Sequence, residues 1–161
     1  MGKIPGSLGR QHDVVEWIPV DIAAEAVVDL TLSRLDAESQ VAGDALACFN
    51  IVNPQVASWS VVADAVRAFY ADRYQADIRE VNFDEWLGDL MAVNQSGEGT
   101  GAERYPALKL LDFFQGMGGE SIVHGRYGFA TERAVANSTS MSEVARIDDQ
   151  LMKKWLEGWG F

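Results

Sequence analysis

The stretch Val14–Leu32, VVEWIPVDIAAEAVVDLTL, constrains this chain more than any other. It reads as a short strand that stops at Pro19 and turns directly into a helix. Val14, Val15, Trp17 and Ile18 are β-branched or aromatic, the side chains that suit a pleated, half-buried surface. Pro19 lacks the N–H that a ladder needs. Asp21 is placed to accept from the open N–H groups of a first helical turn, as its N-cap. Beyond it Ile22, Ala23, Ala26, Val27, Leu30 and Leu35 recur at steps of three and four, one face of a helix reaching Leu35. The pattern returns at Cys48–Asn53 (CFNIVN), followed by Pro54 and a helix that Ser58 can cap. The run Cys48–Val52 is apolar at nearly every position, which suits a strand of a parallel sheet covered on both faces.

Other elements hang on these two joints. Lys3–Asp13 is rich in Gly, Pro and Ser and reads as loop; its Ile4, Pro5 and Leu8 are expected to pack against something earlier in a longer chain. In the second helix Trp59, Val62, Val66, Phe69 and Tyr70 share a face. Ile78 and Val81 alternate with Arg79, Glu80 and Asn82, the pattern of a half-exposed strand. Asn82 and Glu85 have the spacing of a capping box ahead of Trp86, Leu87, Leu90 and Met91. Asp36–Asp44 reads as polar connection, Asn94–Ala102 as a flexible loop, Pro106–Met117 as an apolar helix and Gly116–Gly128 as irregular. Thr131–Asn137 reads as one or two helical turns. Ser140 and Glu143 repeat the capping-box spacing and open a last helix to about Glu157, with Val144, Ile147, Leu151, Trp155 and Leu156 on one face, ended by Gly158 and Gly160. Strand–helix alternation followed by helices alone predicts the back half of an α/β domain with a helical appendage.

Length and charge narrow the function. A chain of 161 residues with 48% apolar residues fits one domain, or one with a small appendage. Its net charge of −11, with scattered basic residues, argues against a nucleic-acid partner, because phosphate binding needs a basic patch. The single cysteine, Cys48, rules out a disulfide within the chain, fits a cytoplasmic home, and reads as buried and inert. No apolar stretch is long enough for a membrane span, and the opening MGKIPGSLGRQHD lacks the apolar core of a signal peptide.

The candidate chemistry is thin. Tyr105-Pro-Ala-Leu-Lys109 has a Tyr-x-x-x-Lys spacing, in which a lysine one turn on can ease the phenol's proton transfer. Pro106 instead puts Tyr105 at a helix start, with Lys109 on the surface. Gly97-Glu-Gly99-Thr-Gly101 lacks the spacing of a dinucleotide loop, and Gly6-Ser-Leu-Gly9 reads as a turn. His12 and His124 lie far apart with no acidic or cysteine cluster, so no metal site is expected. Asp84–Glu85 and Asp148–Asp149 are adjacent pairs that diverge on a helix and read as solvated surface. Ser138 and Ser142 have no histidine companion. No catalytic residue is assigned from the residues alone.

Taken in order, KIPGSLG, VVEWIPVDIAAEAVVDL, FNIVNPQVASW, VNFDEWLGDL, FATERAVANSTSMSEV and WLEGWGF give the chain a resemblance over nearly its whole length. It resembles the C-terminal half of thioester reductase domains, extended short-chain dehydrogenases also known as male-sterility-type NAD-binding domains. Such domains close non-ribosomal-peptide-synthetase-like enzymes, polyketide synthases, aminoadipate reductases and carboxylic acid reductases. The resemblance implies an α/β fold: the C-terminal part of an extended short-chain dehydrogenase, with few short strands and a mostly helical substrate-binding subdomain over residues 1–161. It implies that NADPH reduces a thioester on a phosphopantetheine arm, releasing an aldehyde or alcohol. The family's Gly-rich loop and its Ser/Thr, Tyr and Lys set fall upstream of these motifs, so no catalytic or cofactor-binding residue carries over, and the chain alone is expected to bind no NADPH and to be inactive. In this frame Val14–Ile18 should pair with Ile78–Val81, and Tyr105, Leu108, Phe113, Phe114 and Met117 become the expected substrate-pocket lining. The implied partners are an acyl carrier domain, met through a local basic spot such as Arg10, Arg104 or Lys109, and the N-terminal reductase half. The alternative is a non-enzymatic module derived from the same fold that self-assembles through an open Cys48–Val52 strand edge.

Overall fold

A computed structural model describes residues 2–9, 12–35, 47–96, 105–117 and 128–160. In chain order the strands are β1 (Lys3–Pro5), β2 (Val14–Val15), β3 (Ala57–Ser58) and β4 (Arg79–Val81). The helices are α1 (Val20–Leu35), α2 (Trp59–Tyr74), α3 (Phe83–Gln95), a 3-10 turn (Pro106–Leu110), α4 (Leu111–Met117), α5 (Glu132–Asn137), α6 (Thr139–Glu143) and α7 (Asp149–Trp159). The described residues are mostly helical with few short strands, compatible with an α/β fragment. Among them no helix is long and apolar enough to cross a membrane. The chain divides into two compact units, one of Met1–Val14, Ser58–Gly125 and Asp148–Phe161, the other of Val15–Ala57 and Arg126–Ile147.

The first unit is built on a strand that composition disguised as loop. β1 pairs with β4 in parallel, Lys3 opposite Arg79 and Pro5 opposite Val81. Arg79 N donates to the Gly2 carbonyl at 3.0 Å and Gly6 N to the Val81 carbonyl at 2.9 Å. The N–H that Pro5 lacks is therefore not one the ladder calls on. A Cβ on Gly6 would lie 2.5 Å from Glu80 Oε1, so a larger residue there would turn that exposed carboxylate aside. This corrects the expected pairing of Val14–Ile18 with Ile78–Val81: β4 takes β1, and β2 pairs with β3. Ile4 and Pro5 find their neighbours within this chain.

On this pair sits α3. Asn82 caps it, its Oδ1 accepting from Glu85 N at 2.8 Å, as the spacing predicts. Glu85 does not reach back to complete the box; its carboxylate is taken by Lys3 and Arg79. Val81, Trp86 and Leu90 form a buried cluster covered by Phe83, Leu87, Leu108, Leu111 and Phe114. α2 is capped by Ser58, which accepts from Ser60 N at 3.2 Å, and ends at Gln75 in the left-handed region. α7 packs against α2 and buries Met152 and Leu156.

In the second unit α1 packs on α5 and α6. Ala26, Leu30, Ala134 and Met141 are the buried centre, with Ile18, Phe49, Ile51 and Val135 against it. The helix begins at Val20, one residue before the expected cap. Asp21 lies inside the first turn, where its carboxylate accepts from Ile22 N at 3.0 Å and faces the positive end of the helix. Cys48–Val52 is not a strand: it joins no ladder, and it alternates, Phe49 and Ile51 inward, Cys48 and Asn50 exposed. An apolar run whose second face is uncovered fits this placement; Cys48 is exposed rather than buried. The strand edge expected for self-assembly is accordingly not formed.

The single helix expected from Ser140 to Glu157 is two. α6 is capped by Ser138, accepting from Met141 N at 3.1 Å, and α7 by Asp148, accepting from Leu151 N at 2.8 Å. Val144 leaves the helical region at ψ 126°, yet Val144 and Ile147 are both buried. Their spacing imitates a helix, while an extended link buries them.

Candidate functional site

The first unit holds an apolar cavity of about 410 Å³, a size usual for small-molecule sites. Ile4, Pro5 and Leu8 line it from the β1 side, Trp59, Val66 and Tyr70 from α2, Ile78 ahead of β4, and Trp86 and Phe114 from α3 and α4. Its walls are fixed by specific contacts. The Trp59 indole N–H donates to the Pro5 carbonyl at 2.8 Å. Trp86 and Phe114 meet edge to face with centroids 4.9 Å apart. Lys3 contributes its stem, while its ammonium is held by Glu85 at 3.0 Å and by Asp89. Those two carboxylates raise the Lys3 pKa, Asp89 most strongly, and Lys3 in turn lowers that of Glu85. The ammonium is an anchor for β1 on α3. The lining supplies shape and apolar surface; it brings no nucleophile and base together.

A second, polar cleft of about 500 Å³ lies in the other unit, lined by Asp29, Ser33, Asn137, Ser138, Thr139 and Ser142 among others. One Asp29 oxygen accepts from Ser138 Oγ at 2.8 Å, Ser140 N at 3.0 Å and Ser140 Oγ at 3.0 Å. These bonds, the Ser140 amide first, hold the Asp29 pKa below the ordinary carboxylate range. Ser138 also accepts from Met141 N. A hydroxyl so engaged is a cap, and the cluster ties α1 to the start of α6.

Of the expected pocket residues, the structure puts Phe114 on the cavity wall. Leu108 packs on the Val81–Trp86–Leu90 cluster. Phe113 is 56% exposed, edge to face with Phe114 and with His12. Tyr105 stands at the head of the 3-10 turn, its carbonyl accepting from Leu108 N at 2.9 Å, so the pair with Lys109 belongs to a helix start as Pro106 implies. Met117 is the last residue of α4 and half-buried. Sequence reasoning missed Leu8, Trp59, Val66 and Trp86 as lining. Their signal, two tryptophans on helix faces near KIPGSL, is that of ordinary core. Gly97–Gly101, His124, Arg10 and Arg104 lie outside the described residues. Among the described residues no group of three His, Cys, Asp or Glu could hold a metal.

Of the described strand-to-helix connections, the two in which the strand runs almost directly into the helix, β3–α2 and β4–α3, do not fit a dinucleotide pyrophosphate. That anion needs glycine for close approach and open N–H groups at the helix start. At the β3–α2 turn Ser58 already occupies the Ser60 amide. At β4–α3 Asn82 occupies the Glu85 amide, and Asp84 and Glu85 put negative charge in the first turn.

Fold and site together give a mostly helical segment with an apolar pocket, among whose described lining residues no nucleophile and base come together. Comparison with known proteins gives that segment its kin. No family model matches the chain. Curated relatives do: it is 32% identical to a carboxylic acid reductase of Neurospora crassa over 164 aligned residues, covering 100% of this chain and 14% of the relative. It is 26% identical to the adenylate-forming reductase Nps9 of Serpula lacrymans, over 99% of this chain and 15% of that protein. It is 24% identical to a 3-methylorcinaldehyde synthase of Sarocladium schorii, over 97% of this chain and 5% of the synthase. Homologues across most of the chain are thus carboxylic acid reductases and adenylate-forming reductases, consistent with a fragment of their reductase domain, the kinship that WIPVD and its companion motifs imply. The chain spans about a seventh of the length of the first two relatives.

Proposed function

We propose that this chain is the substrate-binding portion of an NADPH-dependent reductase that releases a phosphopantetheine-tethered acyl thioester from a carrier domain, as an aldehyde or alcohol. Its fold in this reading is the C-terminal part of an extended short-chain dehydrogenase. The observation that carries the proposal is the Trp59–Trp86–Phe114 cavity, found in a chain that aligns from end to end with a carboxylic acid reductase. An acyl group is the apolar part of such a substrate, and burying it is what an uncharged cavity does well. The name of the aldehyde synthase among the relatives is in keeping with an aldehyde product. In this reading Phe114 touches the acyl group, and Tyr105, Leu108, Phe113 and Met117, which stand outside the cavity lining, meet the rest of the tethered substrate from the 3-10 turn and α4. The nicotinamide cofactor is held by another part of the enzyme, in the cytoplasm, and Lys109 is the described basic residue offered to the carrier domain.

The test is a cavity-filling substitution in the reductase that contains this segment. Val66→Phe should raise KM for a carrier-bound octanoyl thioester by about tenfold or more, the scale on which a pocket discriminates one or two carbon groups. KM for NADPH should not move. An unchanged acyl KM, with the variant folded, would refute the assignment of the cavity.

A further inference from the structure

Indole and phenol rings carry a polar tip on an apolar body, and a buried tip normally finds a hydrogen-bond partner. Two tryptophans and a tyrosine line the cavity of the first unit, and they differ in this respect. The Trp59 indole N–H donates to the Pro5 carbonyl at 2.8 Å. Trp86 is 9% exposed, yet its indole N–H has no partner among the described residues. No described side-chain nitrogen or oxygen is both sealed off and unpaired. That N–H therefore opens onto accessible space, and the space Trp86 borders is the cavity. Phe83 and Phe114, with centroids 5.9 Å and 4.9 Å from the indole, hold the ring in place. Tyr70 repeats the pattern from α2. It is half-buried in the lining, and its hydroxyl too is without a partner among the described residues. The hydroxyl of Tyr74, one turn on, accepts from Arg73 Nε at 3.2 Å.

We infer that the acyl chain taken by this cavity carries a neutral oxygen, a hydroxyl or a keto group, and that Trp86 and Tyr70 set specificity by hydrogen-bonding it. The inference rests on the reading proposed above, that the cavity holds the acyl group, and names the class of chain. An indole N–H donates and never accepts, so whatever pairs with Trp86 must offer a lone pair. A phenol donates or accepts, so Tyr70 suits a hydroxyl and a ketone alike. A plain hydrocarbon chain would strip water from both groups and return no bond. That penalty is how a site built to bond an oxygen rejects the analogue without one. The Lys3 ammonium beside the cavity is already held by Glu85 and Asp89, so the lining answers a neutral oxygen rather than a carboxylate.

Calorimetric titration of the purified chain tests this, with octanoyl-pantetheine and with the same thioester hydroxylated near the carbonyl, at mid-chain or at the terminal carbon. At least one hydroxylated chain should bind about tenfold or more tighter than octanoyl. Trp86→Phe and Tyr70→Phe should each weaken that ligand more than octanoyl, by about threefold or more. Tyr70→Phe removes a single oxygen from a half-buried ring, so it tests the claim even where Trp86→Phe fails to fold. Octanoyl binding as tightly as every hydroxylated chain overturns the inference and leaves the proposed function standing. A preference that both substitutions leave intact overturns it too. So does equal weakening of all the thioesters, which would put the bonds on the thioester or the pantetheine arm. No heat with any thioester would defeat the proposed function and this inference together.

Discussion

Asn53 carries more of the second unit than its place in an Asn-Pro turn suggests. It is 1% exposed. Its amide nitrogen donates to the Trp17 carbonyl at 3.1 Å and the Ala145 carbonyl at 2.9 Å, and its oxygen accepts from Gln55 N at 2.8 Å. Three segments far apart in sequence meet at one side chain, and Ala145 lies in the link where α6 gives way to α7. Asn53→Ala takes the donor from two part-buried carbonyls and the acceptor from the Gln55 amide and should cost about 2 kcal/mol, read as a lower urea midpoint. Asp29 contributes to the acid sensitivity of the same unit. Its folded pKa is depressed, so its contribution is full above the unfolded value of about 3.9 and is lost as the pH falls through the lower folded value. Asp29→Asn should be less stable than wild type at pH 7 and should lose less stability below about pH 4, in thermal melts across that range. Lys3 works at the other end of the scale. Its folded pKa is raised, so its contribution is present below about 10.4 and lost as the pH climbs through the folded value.

At the scale of elements, caps were the legible part and sheet partners were not. Ser58 and Asn82 act as their spacing predicts, because a cap is decided by residues within one turn. Asp148 was read as surface and is a cap. The reason lies in Val144–Ile147, whose spacing reads as helix but whose backbone is drawn away by Asn53, a contact across 92 residues. β1 was unreadable for a similar reason: three residues among Gly and Pro become a strand only because β4 offers a partner. Asp148→Ala should destabilise α7 by about 1 kcal/mol. Leu156→Ala, which empties the buried face that α7 turns to α2, should cost about 2–5 kcal/mol. Equilibrium denaturation compares the two, and a larger loss for the cap than for the core would reverse this ordering.

For the whole molecule, kinship was legible in the motifs while the pocket was not. WIPVD, NIVNP and NFDEWL sit at joints and caps of the fold, and the relatives are 24–32% identical over nearly the whole chain. The cavity is assembled from β1, α2, α3 and α4, elements brought together by a pairing that no local pattern announces. The central claim is that this segment grips the acyl group and leaves the nicotinamide cofactor to the rest of the enzyme. Calorimetric titration of the purified 161-residue chain with octanoyl-pantetheine and with NADPH tests it most directly. The account predicts saturable heat with the thioester, lost in Val66→Phe, and no heat with NADPH. Binding of NADPH, or thioester heat that Val66→Phe leaves unchanged, would contradict it.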